Sequence, residues 1–214
     1  EGLGAAVERV ADRAIALAEA GSTALCLTDT ATGGERAPVP SLLAVAAAHG
    51  RLVERGLRTT CSLLVSSDDT RDTHMVATLV GYGADVVCPR LALETVARLA
   101  ETDKVGGDRP TPAEAQARLL RALEDGVLKV MSKVGISDVA SYRGARLFDA
   151  VGLQRRLCRD ILGGTPSAIG GASLERFERE ALERLRASAE ARPRLENPGY
   201  FKFRKGGEPH ATDP

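Results

Sequence analysis

The first 100 residues alternate between two kinds of segment, and this alternation limits the possible folds more than any other feature. Segments with apolar residues at helical spacing cover residues 5–21, 39–56, 69–83 and 91–100. Between them lie short apolar runs that end in polar residues, typical of strands buried in a sheet, at 22–29, 58–67 and 84–92. Regular alternation of this kind predicts an α/β fold, a parallel sheet or partial barrel of βα repeats with helices on the outside.

The second half is predicted to be mainly helical after a hydrophilic loop at 101–112. The predicted elements are a helix at 113–135 that is weakened or kinked at Gly126, one or two helices at 141–162, a glycine-rich turn at 163–173, a charged helix at 174–191 and an extended tail from 192 to 214. The tail is basic at its centre and has no apolar core of its own, so we expect it to pack on something outside this chain.

Polar residues gather where the predicted strands end. These positions hold Thr28-Asp29, then Ser66 to Asp69, then Cys88-Pro89-Arg90. In βα folds the carboxyl ends of parallel strands form the ligand-binding edge, but the same residue types also cap helices. The sequence leaves both roles open.

Composition excludes several classes of function. Lys plus Arg and Asp plus Glu both count 29 in 214 residues, which argues against a nucleic-acid or anionic-membrane partner. No apolar run approaches the roughly 20 residues of a membrane span, and no signal peptide is recognisable. Four cysteines without CxxC spacing predict buried free thiols in a reducing compartment, hence a cytoplasmic protein, rather than a metal site. Because the chain opens with Glu1, we expect it to be a piece of something longer.

No self-contained catalytic motif is present. The three histidines, 49, 74 and 210, lie far apart, and solvated or helix-capping roles are expected for them. The run "GGTPSAIGG" at 163–171 could bind an anion before a helix, but it fits no phosphate-loop pattern, so a plain turn is favoured. Lys129, Ser132 and Lys133 fall on one face of a predicted helix, where they either complement its negative end or meet anionic groups across an interface.

Five stretches, in order, resemble the large subunit of glutamate synthase and cover nearly the whole chain. They are "APVPSLLAVAAAHGRLVERGLR" (37–58), "RDTHMVATLVGYGADVVCPRLA" (71–92), "LKVMSKVGISDVASYRGARLFDAVGL" (128–153), "GTPSAIGGASLERFERE" (164–180) and "GYFKFRKGGEPH" (199–210). Relative to that family, Cys88 stands where asparagine is usual, His74-Met75 replaces a histidine pair, and Ala168 replaces the arginine of "SRIGG".

The resemblance implies part of an oxidoreductase that makes L-glutamate from L-glutamine and 2-oxoglutarate. In that family an amidotransferase domain releases ammonia, which passes through an internal channel to an FMN site, where 2-iminoglutarate is reduced. Residues 1–162 would be the later part of the central domain, and 163–214 the connection to and start of the FMN-binding domain. The catalytic cysteine, the FMN-binding residues and the ligands of the 3Fe–4S cluster lie in domains outside this chain, so no cofactor is expected here and the chain alone should be inactive.

The partners implied are the amidotransferase and FMN domains of the same subunit, with either a nicotinamide-dependent small subunit or ferredoxin as electron donor. The resemblance further implies a set of interdomain and channel-support residues, which we call the seam residues: Lys129, Ser132, Lys133, Ser137, Ser141, Tyr142 and Arg143. Helix capping and internal structure remain the alternative role for this set. The alternatives for the whole chain are a free-standing non-catalytic scaffold or binding domain and, with less support, a small barrel enzyme.

Overall fold

The computed structural model describes residues 2–102, 110–190, 199 and 203–207. The helices are α1 (Leu3–Glu19), α2 (Ser41–Glu54), α3 (Thr73–Gly81), α4 (Arg90–Glu101), α5 (Pro112–Val134), α6 (Val139–Tyr142), α7 (Arg155–Asp160) and α8 (Leu174–Ser188). The strands are β1 (Ala24–Thr28), β2 (Ser62–Ser67), β3 (Val86–Pro89), β4 (Ala150–Leu153) and β5 (Ser167–Ala172). The predicted α/β fold with parallel strands and outer helices is confirmed.

Strands β1, β2 and β3 form a parallel sheet in that order, each joined to the next by a helix. Side chains alternate across the sheet, and one face, which includes Leu25, Leu63 and Val65, is buried. Against this face pack residues such as Val45 and Leu52 of α2. The helices therefore hold the sheet from one side.

The opposite face of the same sheet is open in the part of the chain that the structure describes, which differs from the prediction of buried strands. Val86 is 52% exposed, and both Cys26 and Cys88 are exposed on this face. The prediction of four buried thiols is thus right for Cys61 and Cys158 only, although all four are free. The reason is the two-residue period of a strand, which turns alternate side chains away from the helices.

Helix α5 runs as one helix through Gly126, the position at which a weakening or kink is predicted. It begins with a capping box between Thr111 and Glu114 and ends at Gly135, whose φ of 80° suits glycine. A Cβ atom added at Gly126 would lie 2.4 Å from Oγ1 of Thr73 in α3. The glycine therefore permits close packing of α5 on α3.

Strands β4 and β5 form a second, two-stranded parallel sheet in a region predicted as helix and turn. Gly152 has a φ of 74°, which a helix does not accommodate. A Cβ atom on Gly171 would lie 2.4 Å from the carbonyl oxygen of Gly152, so the glycines allow two backbones to approach each other. Both predictions, a helix through 150–153 and a turn through 167–172, are corrected on these grounds.

Helix α8 confirms the predicted charged helix and packs near the start of the chain, where Glu178 accepts a 2.7 Å hydrogen bond from the backbone N–H of Leu3. The predicted extended tail lies outside the described residues, apart from 199 and 203–207. Within the part of the chain that the structure describes, no helix combines the length and apolarity needed to cross a membrane.

Candidate functional site

The polar residues that follow the strands meet at one edge of the sheet, as the parallel arrangement requires. Arg90, the first residue of α4, donates from Nη2 to Oδ1 of Asp29 at 3.1 Å and to Oδ2 of Asp68 at 2.7 Å. The other oxygen of Asp29 accepts the backbone N–H of Asp68 at 2.7 Å. These contacts tie the ends of all three strands together.

A third carboxylate at this edge, Asp69, caps a helix that starts 28 residues earlier in the chain. It accepts the backbone N–H of Ser41 at 2.9 Å and the Ser41 hydroxyl at 2.6 Å. It also accepts the hydroxyl of Ser67 at 2.8 Å, while that hydroxyl lies 2.7 Å from the Thr70 hydroxyl. Ser67 and Thr70 are both buried.

For Asp29 and Asp69, the structure favours the structural one of the two roles open for strand-end residues. The carboxylates of Asp29 and Asp69 already accept hydrogen bonds on both oxygens. Burial and the nearby charge of Asp29 raise the pKa of Asp68, and the positive charge of Arg90 partly offsets this rise. Among the described residues, no cluster of His, Cys, Asp and Glu side chains suits a metal ion.

A more closely packed polar cluster lies at the opposite, amino-terminal edge of the sheet and centres on Asp85. Arg58 donates from Nη2 to Oδ2 of Asp85 at 2.6 Å, and both side chains are only 13% exposed. Arg143 contacts Oδ1 of the same carboxylate at 2.5 Å, and the backbone N–H of Leu63 donates to its Oδ2 at 2.7 Å. Paired in this way, the buried carboxylate has partners for both oxygens.

His49 of α2 completes this cluster as a hydrogen-bond acceptor. Its Nδ1 accepts from Nε of Arg58 at 3.0 Å, and the ring fits between the backbones of Gly83 and Gly144. Burial, followed by the charge of Arg58, lowers the pKa of His49 to about 4. The ring is therefore neutral at pH 7, a role that differs from the predicted solvated or capping histidine.

The cluster borders an open cavity of about 630 Å³, whose lining includes Thr23, His49, Arg58, Thr59, Asp85 and Arg143. With His49 neutral, the two arginines and one aspartate carry a net positive charge. Arg143 is 39% exposed, so part of its guanidinium faces solvent. Such a surface suits a carboxylate group of a neighbouring protein segment.

The seven seam residues lie along the last turns of α5 and through α6, but they do not share one environment. Lys129, Ser132 and Lys133 are exposed on α5, and Ser137 is exposed in the linker that follows. The Ser141 hydroxyl donates to Asp138 at 2.7 Å, within the N-terminal cap of α6.

Tyr142 and Arg143 instead anchor the segment to the rest of the fold. Tyr142 is buried and its hydroxyl donates to the carbonyl oxygen of Ala77 in α3 at 3.1 Å. Arg143 reaches Asp85 just before β3. The segment that follows the exposed seam residues of α5 is thus anchored by two residues that form internal contacts.

Sequence reasoning missed His49, Arg58 and Asp85 as a cluster. The available signal was a charged residue shortly before each of two apolar runs, with Arg58 ahead of "CSLLV" and Asp85 ahead of "VVCP". Parallel strands place their starts at a common edge, which would have brought the two together.

Comparison with known proteins identifies relatives along the chain. The sequence-family model of the glutamate synthase central domain matches residues 1–154. The large chain of the NADPH glutamate synthase of Bacillus subtilis is 39% identical over 91% of this chain and 13% of its own length. The NADH glutamate synthase of Schizosaccharomyces pombe is 36% identical over all of this chain and 10% of its own length.

A chloroplastic ferredoxin-dependent glutamate synthase of Oryza sativa is 38% identical over 98% of this chain and 14% of its own length. The chain thus spans about a tenth to a seventh of the relatives it matches. Among solved structures, a flavocytochrome b2 variant with sulfite bound is similar with a TM-score of 0.48 and 18% identity, over 62% of this chain and 31% of that one.

Proposed function

The chain belongs to the glutamate synthase central-domain family, and on that premise we propose that it is the part of a glutamate synthase that connects the amidotransferase site to the FMN site. The observation that carries the proposal is the family match over residues 1–154, together with 36–39% identity to two glutamate synthases. The parent enzyme would form L-glutamate from L-glutamine and 2-oxoglutarate by reductive transfer of the amide nitrogen.

In this proposal the chemistry belongs to other domains and this chain supports it. FMN and the 3Fe–4S cluster would be held outside the chain, and the amidotransferase and FMN domains would be its partners, with reducing equivalents from a nicotinamide-dependent subunit or ferredoxin. The described carboxylates at the strand ends fit a supporting role, because those of Asp29 and Asp69 are engaged in internal hydrogen bonds. The cytoplasmic location of the parent enzyme stays a prediction.

We place the domain boundary near residue 162, with 163–214 as the connection to the FMN domain. Helix α7 ends at Asp160, and β5 then returns beside β4 to lead into α8. Because β4 and β5 pair across the proposed boundary, the connection would begin as part of the same folded unit.

The exposed seam residues would contact the neighbouring domain and support the ammonia channel. Lys129 and Lys133 present two positive charges on one face of α5, near its negative C-terminal end. The helix that carries them packs on α3 and α4, and the segment that follows it is anchored by the buried Tyr142 and by the Arg143–Asp85 ion pair. An exposed basic surface of this kind suits a carboxylate-bearing partner.

The proposal is tested first on the chain and then on the parent enzyme. The purified 214-residue chain should bind no FMN and release no ammonia from glutamine, as followed by FMN fluorescence and an ammonia assay. The full-length parent should form glutamate from glutamine, 2-oxoglutarate and a reductant. A parent that forms no glutamate, or a chain that binds FMN tightly, would contradict the proposal.

The seam role is tested by Lys133→Ala in the full-length parent. We expect ammonia release to become uncoupled from glutamate formation, because the domain contact beside the channel would loosen. Arg118→Ala is the matched control, since Arg118 is a basic, exposed residue about four turns earlier on the same helix. Full coupling and unchanged stability in Lys133→Ala would rule out the seam role of this lysine.

A further inference from the structure

The open face of the three-stranded sheet is a continuous, uncharged surface. Two rows of side chains run across it, since Cys26 pairs in register with Leu64 and Leu64 with Val86, while Thr28 pairs with Ser66 and Ser66 with Cys88. The residues of this face, which we call the open face, are Ala24, Cys26, Thr28, Ser62, Leu64, Ser66, Val86 and Cys88.

Parallel sheets are almost always covered on both faces, whereas the described residues cover this one on a single face. The open face contains no charged residue, and the row from Cys26 to Val86 is wholly apolar. Outer helix faces of the same chain are charged, as in α8. Water is therefore an unfavourable neighbour for the open face compared with a protein surface.

The unpaired edges of the sheet support the same conclusion. Within the described residues, β1 and β3 each pair with a strand on one side only. An unpaired parallel edge presents backbone N–H and C=O groups that another strand can satisfy. An occupant that covers the face can thus also extend the sheet.

We propose that the open face is covered by an uncharged, largely apolar surface from elsewhere in the parent polypeptide. This inference rests on the proposed function, because it needs the chain to be part of a longer subunit. The length of chain outside the structure supports this occupant, since the matched relatives are roughly seven to ten times longer than the matched part. A same-chain occupant is favoured because it is present at high effective concentration.

Four native cysteines allow a direct test without mutation. Native protein is treated with N-ethylmaleimide, and labelling of each cysteine is followed by peptide mass spectrometry. In the 214-residue chain, Cys26 and Cys88 should react fast, whereas the buried Cys61 and Cys158 should react slowly and serve as internal controls. In the full-length parent, Cys26 and Cys88 should react at least about tenfold more slowly than in the chain.

A matched pair of substitutions provides the second test. Val86→Asp places a charge on the open face, and Val53→Asp places one on helix α2 at nearly the same exposure, 52% against 51%. Both should leave the unfolding midpoint of the 214-residue chain almost unchanged. In the parent, only Val86→Asp should lower the midpoint and restore fast labelling of Cys26 and Cys88, because a charge would have to be buried.

Each outcome decides between this inference and the proposed function. If the parent forms glutamate but Cys26 and Cys88 react as fast as in the isolated chain, the inference is overturned and the function stands. If the two thiols are protected but no glutamate forms, the function fails and the covered face stands. Slow labelling in the isolated chain together with a dimer in size-exclusion chromatography would identify a second copy as the occupant and overturn the inference.

Discussion

Replacing Gly126 by alanine tests the close packing of α5 on α3. A Cβ atom at this position would lie 2.4 Å from Oγ1 and 2.5 Å from Cγ2 of Thr73, well inside contact distance. In an exposed helix interior the same change stabilises by up to about 1 kcal/mol through helix propensity. Overpacking costs about 1–3 kcal/mol, so the gain should be cancelled or reversed.

Gly50 of α2 is the matched control, because it is also helical and a Cβ atom there meets nothing within 4 Å. Gly50→Ala should stabilise the chain by about 0.5–1 kcal/mol. The free energy of unfolding of the two variants should therefore differ by about 1–3 kcal/mol, with Gly126→Ala the less stable. Urea denaturation of the 214-residue chain, followed by circular dichroism, measures this difference.

A double variant separates the clash from other causes. Thr73→Ala removes both atoms that would lie nearest the new methyl group, so combining it with Gly126→Ala should recover most of the lost stability. If Gly126→Ala stabilises the chain as much as Gly50→Ala, the packing argument is refuted. The same holds if the double variant shows only the sum of the two single effects.

Three further predictions concern the polar cluster and its anchor. Because the pKa of His49 falls from 6.5 to about 4 on folding, the unfolded chain binds more protons than the folded chain between these pH values. The free energy of unfolding should therefore fall as the pH drops from 6.5 to 4, by about 1–2 kcal/mol after discounting for partial exposure of the ring. His49→Gln should remove this part of the pH dependence of the urea midpoint. Asp85→Ala leaves the largely buried Arg58 side chain without its carboxylate and should cost about 3–5 kcal/mol in thermal or urea unfolding; a loss below about 1 kcal/mol would contradict a stabilising pair. Tyr142→Phe removes the hydrogen bond from the buried Tyr142 hydroxyl to the carbonyl oxygen of Ala77 and should cost about 1 kcal/mol, again by urea unfolding, with no change expected if the hydroxyl is instead solvated.

The βα repeats could be predicted because their signal is local. Each helix carries its apolar stripe and each strand is a short apolar run, so the three repeats appear in the sequence in the right order. The open face could not be predicted, because a strand such as β3, with consecutive apolar residues, looks the same whether one or both of its faces are covered.

The other features that could not be predicted depend on contacts between residues distant in the sequence. Gly152 and Gly171 identify a strand pair only when their backbones are seen side by side, and local propensity gave a helix and a turn instead. Arg58 and Asp85 are 27 residues apart and join through the common edge of the sheet. The seam residues were found through the resemblance, whereas their anchoring by Tyr142 and Arg143 required the fold.

The carboxylate of Asp85 joins parts of the polypeptide that are distant in sequence. It accepts hydrogen bonds from Arg58 and the Leu63 amide near β2, and it pairs with Arg143 about 60 residues later. Local opening of the loop after α6 must therefore break an ion pair at the sheet itself. In native-state hydrogen exchange, the amide of Leu63 and the backbone of α6 should belong to one cooperative unit, so that the surface proposed to meet the next domain opens only when the sheet does.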